Sequence, residues 1–138
     1  MRFEESVEFK GDAAEVWTRA SNVRDIPTYW HGTRSLEVVR EDGGVTHAKV
    51  VFGFGGSGEA DISKDTEQRL LTIDYTSGPV TGRQTVRVSQ DRITAVWDIK
   101  FRGAFRLAEK GSESHLRSGT VHALERLAGQ APKDQRLE

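Results

Sequence analysis

The sequence contains no cysteine, which excludes disulfide bonds, thiolate nucleophiles and zinc sites with cysteine ligands. It has no apolar run approaching the roughly 20 residues that a membrane-spanning helix needs, and residues 1–5 are too acidic for a secretory signal peptide. Neither charge is in excess, because 20 basic and 21 acidic residues leave a net charge of −1. A general nucleic-acid binder normally carries a basic excess, so we expect a cytoplasmic protein with no membrane span and no nucleic-acid partner.

The length and composition fit one globular domain. The chain has 138 residues, of which 36% are apolar, and this is enough for an ordinary hydrophobic core. We find no internal repeat and no linker. The sequence therefore predicts a single domain over residues 1–131 and a polar C-terminal tail over residues 132–138.

The N-terminal part predicts one strand followed by two short helices. Residues 3–10 alternate between two faces, and Glu5 is the charged residue on the otherwise apolar face. Asp12 lies three residues before Glu15, the spacing of a helix-capping box, and residues 22–25 repeat this spacing for a shorter helix. The face that the first helix would bury consists of Ala13, Val16, Trp17 and Ala20.

Six further segments, spaced about ten residues apart and separated by turn residues, show the period of two that is typical of strands. This pattern predicts an antiparallel sheet with one buried and one wet face. The residues predicted to face inward are Arg34, Leu36, Val38, Ala48, Val50, Phe52, Phe54, Gly58, Ala60, Ile62, Leu71, Ile73, Tyr75, Gly82, Gln84, Val86, Val88, Ile93, Ala95, Trp97, Ile99 and Phe101.

The C-terminal part returns to a helical period. Gly111 interrupts the pattern, so the sequence does not fix the residue at which the helix starts. Its apolar stripe consists of Leu116, Thr120, Ala123 and Leu127, with Phe105 added if the helix starts that early. This helix is long enough to cover the sheet. We predict an α+β fold in which a curved seven-stranded antiparallel sheet wraps around a long C-terminal helix, with two short helices between strands 1 and 2. A cavity between the sheet and the helix is the natural product of this arrangement.

The order of these elements over about residues 2–129, together with local motifs, resembles the START/polyketide cyclase-like superfamily. The motifs are AEVW at residues 14–17, SNVRDIPTYW at residues 21–30, SLEV at residues 35–38 and the turn SGP at residues 77–79. The resemblance implies the helix-grip fold shared by Bet v 1-type allergens, lipid-transfer domains and coenzyme Q-binding proteins. It implies architecture more than activity, since members include carriers, receptors, cyclases and dehydratases.

Aromatic side chains are numerous on the predicted inner face, and Trp and Tyr carry polar tips that require a partner. Such a lining suits a ring-shaped or polyprenyl-type ligand. We predict binding or transport of a small hydrophobic ligand (a lipid, a quinone or an aromatic polyketide) without a cofactor or a metal ion. The predicted ligand-binding residues are Tyr29, Trp30, Phe52, Phe54, Tyr75, Gln84, Trp97, Phe101, Leu116 and Thr120.

A cyclase- or dehydratase-like enzyme is the first alternative. It would use Glu5 or His31 as acid or base and Tyr75 as a donor. Glu5 either reaches water at the end of its strand or is buried and paired with Arg34, because an unpaired carboxylate on an apolar face is costly. The resemblance places His31 at the cavity end, where this sequence has WHG at residues 30–32 and many members have an apolar residue and a proline.

A protein-interaction module is the second alternative. It would require an exposed apolar patch on the outer face of the sheet. The contributors that the alternation offers are Val39, Val51, Leu70 and Val96.

We assign no metal site to the remaining histidines and no dinucleotide site to the glycine-rich segment. His47 is expected to be exposed. His115 and His122 lie about 10.5 Å apart along a helix, too far to share a metal ion, and away from the apolar stripe, so we expect them to be solvated or half-buried. Residues 53–58 fit the pattern G-x-G-x-x-G but precede a strand-like alternation. This predicts a flexible hairpin able to gate the cavity, because a dinucleotide loop would open a helix.

Overall fold

The alternating segments form seven antiparallel strands in a computed structural model that describes residues 1–130. The strands make one sheet with the order β1-β7-β6-β5-β4-β3-β2, so β1 and β2 are its two edges. Their bounds are β1 Arg2–Glu8, β2 Thr33–Asp42, β3 Val45–Phe52, β4 Ser57–Asp65, β5 Leu70–Ser77, β6 Val80–Val88 and β7 Arg92–Phe101.

Three α-helices complete the fold, namely α1 Ala13–Ala20, α2 Ile26–Tyr29 and α3 Glu109–Leu127. Short 3₁₀ segments precede α2, at Val23–Asp25, and α3, at Gly103–Ala108. The segment with α1 and α2 joins the two sheet edges, and α3 packs against β1, β7 and α2. The predicted α+β helix-grip fold, with its seven strands and long C-terminal helix, is therefore confirmed.

Helix α1 begins where the capping residue predicts. An Asp12 side-chain oxygen accepts a hydrogen bond from the Ala14 backbone N–H at 2.9 Å. This bond satisfies one of the N–H groups that a helix start leaves without a partner. The helix then buries Ala13, Val16, Trp17 and Ala20 against the sheet and its neighbours, as the sequence indicates.

Removing this cap should cost measurable stability. We expect Asp12→Ala to lower the free energy of unfolding by about 1 kcal/mol, since the Ala14 N–H loses its acceptor. Asp12→Asn keeps an acceptor oxygen and should lose only a few tenths of a kcal/mol. Urea denaturation followed by circular dichroism measures both, and equal losses in the two variants would contradict a capping role.

The inward alternation fails at Arg34 and Phe54. A register shift between Thr33 and Ser35 in β2 leaves Arg34 exposed while Thr33 is buried. The alternative in which a buried Glu5 pairs with Arg34 is therefore wrong. Phe54 is the second exception, because β3 ends at Phe52 and the next residues turn.

Glu5 instead faces the terminal helix. Its Oε2 accepts a hydrogen bond from Arg117 Nη1 at 3.3 Å, and the pair is partly exposed. Arg117 also lies over the ring of Phe3, 4.9 Å from the centroid, and pairs with Glu113. A strand-edge carboxylate is thus matched by a cation from α3, which ties β1 to that helix.

Helix α3 starts later than its earliest predicted position. Phe105 lies in the preceding 3₁₀ segment, and Gly111 lies within the helix. Thr120, Ala123 and Leu127 are buried as predicted, whereas Leu116 is half-buried. Leu124, also fully buried, was not part of the predicted stripe.

Residues 53–56 form the turn between β3 and β4, so no helix follows the glycines. The gating role of this turn stays a prediction. The tail proposed for residues 132–138 lies outside the described residues. Within residues 1–130, none of the helices combines the length and apolarity needed to cross a membrane.

Candidate functional site

A cavity of about 470 Å³ lies between the inner face of the sheet, α3 and the turn that follows α2. Its wall is mostly apolar and aromatic. The lining residues are Trp30, His31, Gly32, Thr33, Phe52, Gly53, Phe54, Tyr75, Val80, Trp97, Ile99, Phe101, His115, Leu116, Gly119, Thr120, His122 and Arg126.

Trp97 is the centre of the aromatic wall. The sheet register places it opposite Phe3 on β1, and the two rings stack with centroids 6.1 Å apart. Tyr75 stacks on Trp97 with an interplanar angle of 6°, and Trp30 meets Trp97 edge to face at 5.5 Å. Aromatic pairs in these geometries contribute stability beyond their buried area. Strands β1, β5 and β7 and the end of α2 therefore meet in one cluster.

A second aromatic cluster forms around Phe54 in the β3–β4 turn. Its ring lies 5.3 Å from Phe52, 6.1 Å from Phe101 and 5.5 Å from Phe105. Phe54 is nevertheless 51% exposed, so it lies at the entrance to the cavity. Phe54 therefore lines the cavity from the β3–β4 turn and not from an inward position of a strand.

The buried polar atoms of the wall leave only hydrogen-bond donors without partners. Tyr75 Oη donates to Gln84 Oε1 at 3.0 Å, and burial raises the pKa of Tyr75 above its usual range, so the hydroxyl is neutral. Gln84 Nε2 and the indole Nε1 atoms of Trp30 and Trp97 have no partner within the described part of the chain.

Eight of the ten predicted ligand-binding residues line the cavity, and Tyr29 and Gln84 do not. Tyr29 Oη donates to the Ala20 carbonyl oxygen at 2.9 Å. Tyr29 therefore joins α2 to α1. Gln84 is 1% exposed and holds the Tyr75 hydroxyl. The eight that line the cavity are Trp30, Phe52, Phe54, Tyr75, Trp97, Phe101, Leu116 and Thr120.

The structure does not bring the three candidate acid–base residues to one site. His31 and Tyr75 line the cavity, whereas Glu5 does not. Glu5 is instead paired with Arg117. The structure thus brings His31 and Tyr75 to one cavity and places Glu5 on the β1–α3 contact.

Sequence reasoning missed one face of α3. His115, Gly119, His122 and Arg126 all line the cavity, and none of the four was among the ligand-binding residues predicted from the sequence. His115 is exposed and His122 half-buried, as expected. The signal was present, because the spacing i, i+4, i+7, i+11 marks a helix face next to the apolar stripe. Three of these four residues are polar, and polar residues on a helix face normally lie in solvent, so this face was not assigned to the cavity.

Within residues 1–130, basic side chains line the cavity and acidic ones do not. Among residues 1–130, none of the carboxylates lines it, whereas three histidines and Arg126 do. Arg126 Nη1 donates to the Tyr29 carbonyl oxygen at 3.1 Å. Burial lowers the pKa of Arg126, and the charge of neighbouring Glu125 opposes this shift. Over the same residues, no three His, Asp or Glu side chains are placed to hold a metal ion.

The outer face of the sheet offers little apolar surface at the four positions named for a protein partner. Val39 is exposed, whereas Val51, Leu70 and Val96 are half-buried. His47 lies on β3, as does Val51, and its Nδ1 pairs with an Asp61 carboxylate oxygen. His47 is half-buried, which corrects its expected exposure.

Comparisons with known proteins agree with this architecture. A family profile described as polyketide cyclase/dehydrase and lipid transport matches residues 1–130. No curated protein matches the chain at the sequence level. The profile match confirms the resemblance inferred from the sequence motifs.

Several solved structures share the fold at low sequence identity. A protein from Thermus thermophilus is 15% identical, with a TM-score of 0.78 over 94% of this chain and 95% of that one. The Zhui aromatase/cyclase from Streptomyces sp. R1128 is 16% identical, with a TM-score of 0.74 over 100% and 96%. A START superfamily protein from Mycobacterium smegmatis is 10% identical, with a TM-score of 0.65 over 91% and 98%. At these identities the likeness concerns the fold.

Proposed function

The chain belongs to the polyketide cyclase/dehydrase and lipid transport family, and from this premise we propose that it binds or carries a small hydrophobic molecule in its internal cavity. The observation that carries the proposal is the aromatic cavity of about 470 Å³ between the sheet and α3. Ligand pockets commonly enclose about 300–1,000 Å³ and have mostly apolar walls with a few polar groups.

The shape of the wall favours a ring-shaped ligand, such as an aromatic polyketide or a quinone. Tyr75, Trp97 and Phe3 form a stack of nearly parallel rings, and Trp30 closes it edge-on. Flat rings gain from offset stacking and edge-to-face contacts with such a wall. The volume also limits the ligand to about the size of a few fused rings.

Cyclase or dehydratase chemistry is a second candidate, favoured by His31 and Tyr75 on the same cavity wall. Two structural neighbours are an aromatase/cyclase and a di-domain ARO/CYC. Tyr75, whose pKa burial raises, remains a proton donor at neutral pH, and its proton is held by Gln84. Because the base would have to be an imidazole at the cavity entrance, we rank binding first.

A cavity-blocking variant tests the binding proposal. N-phenyl-1-naphthylamine, a neutral dye that fluoresces in apolar surroundings, serves as the probe. Gly119 lines the cavity, and a Cβ added there meets no atom within 4 Å. We expect Gly119→Phe to occupy the cavity and to weaken dye binding at least about tenfold, a loss of roughly 1.4 kcal/mol or more.

Gly111→Phe is the matched control. Gly111 lies on the same helix, also has free space around an added Cβ, and does not line the cavity. Both substitutions replace glycine within a helix, so neither should unfold the protein. Absence of dye binding to the unmodified protein, or equal weakening by both variants, would overturn the proposal.

A further inference from the structure

The basic side chains along the cavity suggest the chemistry of its ligand. Arg126 and His122 are four residues apart on one face of α3 and both line the cavity. Arg126 bonds the Tyr29 carbonyl oxygen at the end of α2, two residues before His31, which also lines the cavity. The end of α3 and the turn after α2 therefore bring a guanidinium and two imidazoles to one cavity.

We propose that the ligand is an organic anion, with an apolar ring system in the aromatic cavity and a carboxylate or similar anionic oxygen group held by Arg126, His122 and His31. This inference rests on the proposed binding function and narrows it to one class of ligand.

The charge balance supports an anion. Within the described residues the cavity has no carboxylate of its own, although the whole sequence has 21 acidic residues against 20 basic ones. A guanidinium offers five N–H groups, and within residues 1–130 Arg126 uses one of them, in the hydrogen bond to the Tyr29 carbonyl oxygen. A partly buried guanidinium has lost some hydration, which a bound anion would replace with charge-assisted hydrogen bonds.

The buried polar atoms deeper in the wall independently favour an acceptor. Trp30 Nε1 and Trp97 Nε1 belong to side chains that line the cavity and are more than nine-tenths buried, and within residues 1–130 neither N–H has a hydrogen-bond partner. A buried donor without an acceptor is costly. An oxygen-rich ligand would supply acceptors along the wall, whereas a protonated amine would not.

Two dyes that differ by one group test the inference. 1-Anilinonaphthalene-8-sulfonate is N-phenyl-1-naphthylamine with an added sulfonate, so the ratio of their affinities isolates the anionic group. We expect Arg126→Gln to shift this ratio about tenfold against the sulfonate, the size of one charge-assisted hydrogen bond. Arg126→Lys, which keeps the charge, should restore part of the ratio. Arg87→Gln removes an exposed arginine of β6 that does not line the cavity, and should leave the ratio unchanged.

A salt titration of the unmodified protein gives a second readout that does not depend on a folded variant. Ionic strength raised from about 0.05 to 0.5 M should weaken the sulfonate and spare the neutral dye, because salt screens the charge interaction. The Gly119→Phe variant should lose both dyes, which places both in the cavity.

The outcomes separate the two proposals. If neither dye binds, the binding function fails and the anion inference fails with it. If the neutral dye binds in the cavity but the affinity ratio is the same in Arg126→Gln and Arg87→Gln, only the anion inference is overturned. A sulfonate that Gly119→Phe does not displace would also overturn it, since that dye would then bind the outer surface.

Discussion

Replacing Trp97 with alanine is expected to lower the free energy of unfolding by about 3–5 kcal/mol, the usual cost of removing a buried aromatic side chain. Trp97 is buried on β7, where its ring contacts Phe3, Trp30 and Tyr75. These partners come from β1, β5 and the end of α2. Removing the indole therefore takes away the shared contact of three elements, and the space left cannot collapse easily next to an existing cavity.

Phe54→Ala is the matched comparison, since Phe54 also lines the cavity and contacts three other rings. Phe54 lies in a turn and is 51% exposed, so about half of its surface contributes no burial energy that the substitution could remove. We expect a loss of about 1 kcal/mol or less, in proportion to the area buried. The two variants thus separate the stabilising part of the aromatic wall from its entrance.

Urea denaturation followed by far-ultraviolet circular dichroism measures both losses on the same scale. The Trp97→Ala transition should fall at a much lower urea concentration with a similar slope, because the folded and unfolded surfaces change little. Equal losses at Trp97 and Phe54 would contradict the assignment of Trp97 as the centre of the wall.

The sequence could predict the strands and the covering helix because their signals are local. Alternation with period two sets which side chains face inward, and it held throughout β7, where residues 93, 95, 97, 99 and 101 are all buried. It failed at Arg34 because a register shift in β2 depends on how β2 pairs with β3. A shift of one residue reverses the faces of a strand, and the side chains of a single strand do not reveal it.

The candidate site was harder to predict because it combines residues from distant elements. The aromatic lining followed from alternation, but Arg126 reaches the cavity through the packing of α3 on α2, where it bonds Tyr29. The partner of Glu5 was likewise set by the position of α3, which supplies Arg117. Polar residues on a helix face normally indicate solvent, and the cavity beside this helix cannot be read from the helix sequence alone.

Gly82→Ala is the other substitution with a large expected effect. Gly82 lies inside β6 with a φ of +125°, a conformation that side chains other than glycine rarely adopt. An added Cβ would lie 2.3 Å from the Asp98 carbonyl oxygen and 2.8 Å from Ile99 Cα, both on the backbone of β7. Backbone atoms cannot turn aside as a flexible side chain can. Strain and overlap together should lower the free energy of unfolding by about 2–4 kcal/mol.

Gly111→Ala supplies a control of opposite sign. Gly111 lies within α3, and an added Cβ there meets no atom within 4 Å. The change from glycine to alanine in a helix should raise the free energy of unfolding by about 0.5–1 kcal/mol, because the unfolded chain loses conformational freedom. The same chemical change therefore has opposite expected effects at two positions, and the difference isolates the close approach of β6 to β7. Should urea denaturation show Gly82→Ala to be as stable as the unmodified protein, the two strands would not approach as closely as described.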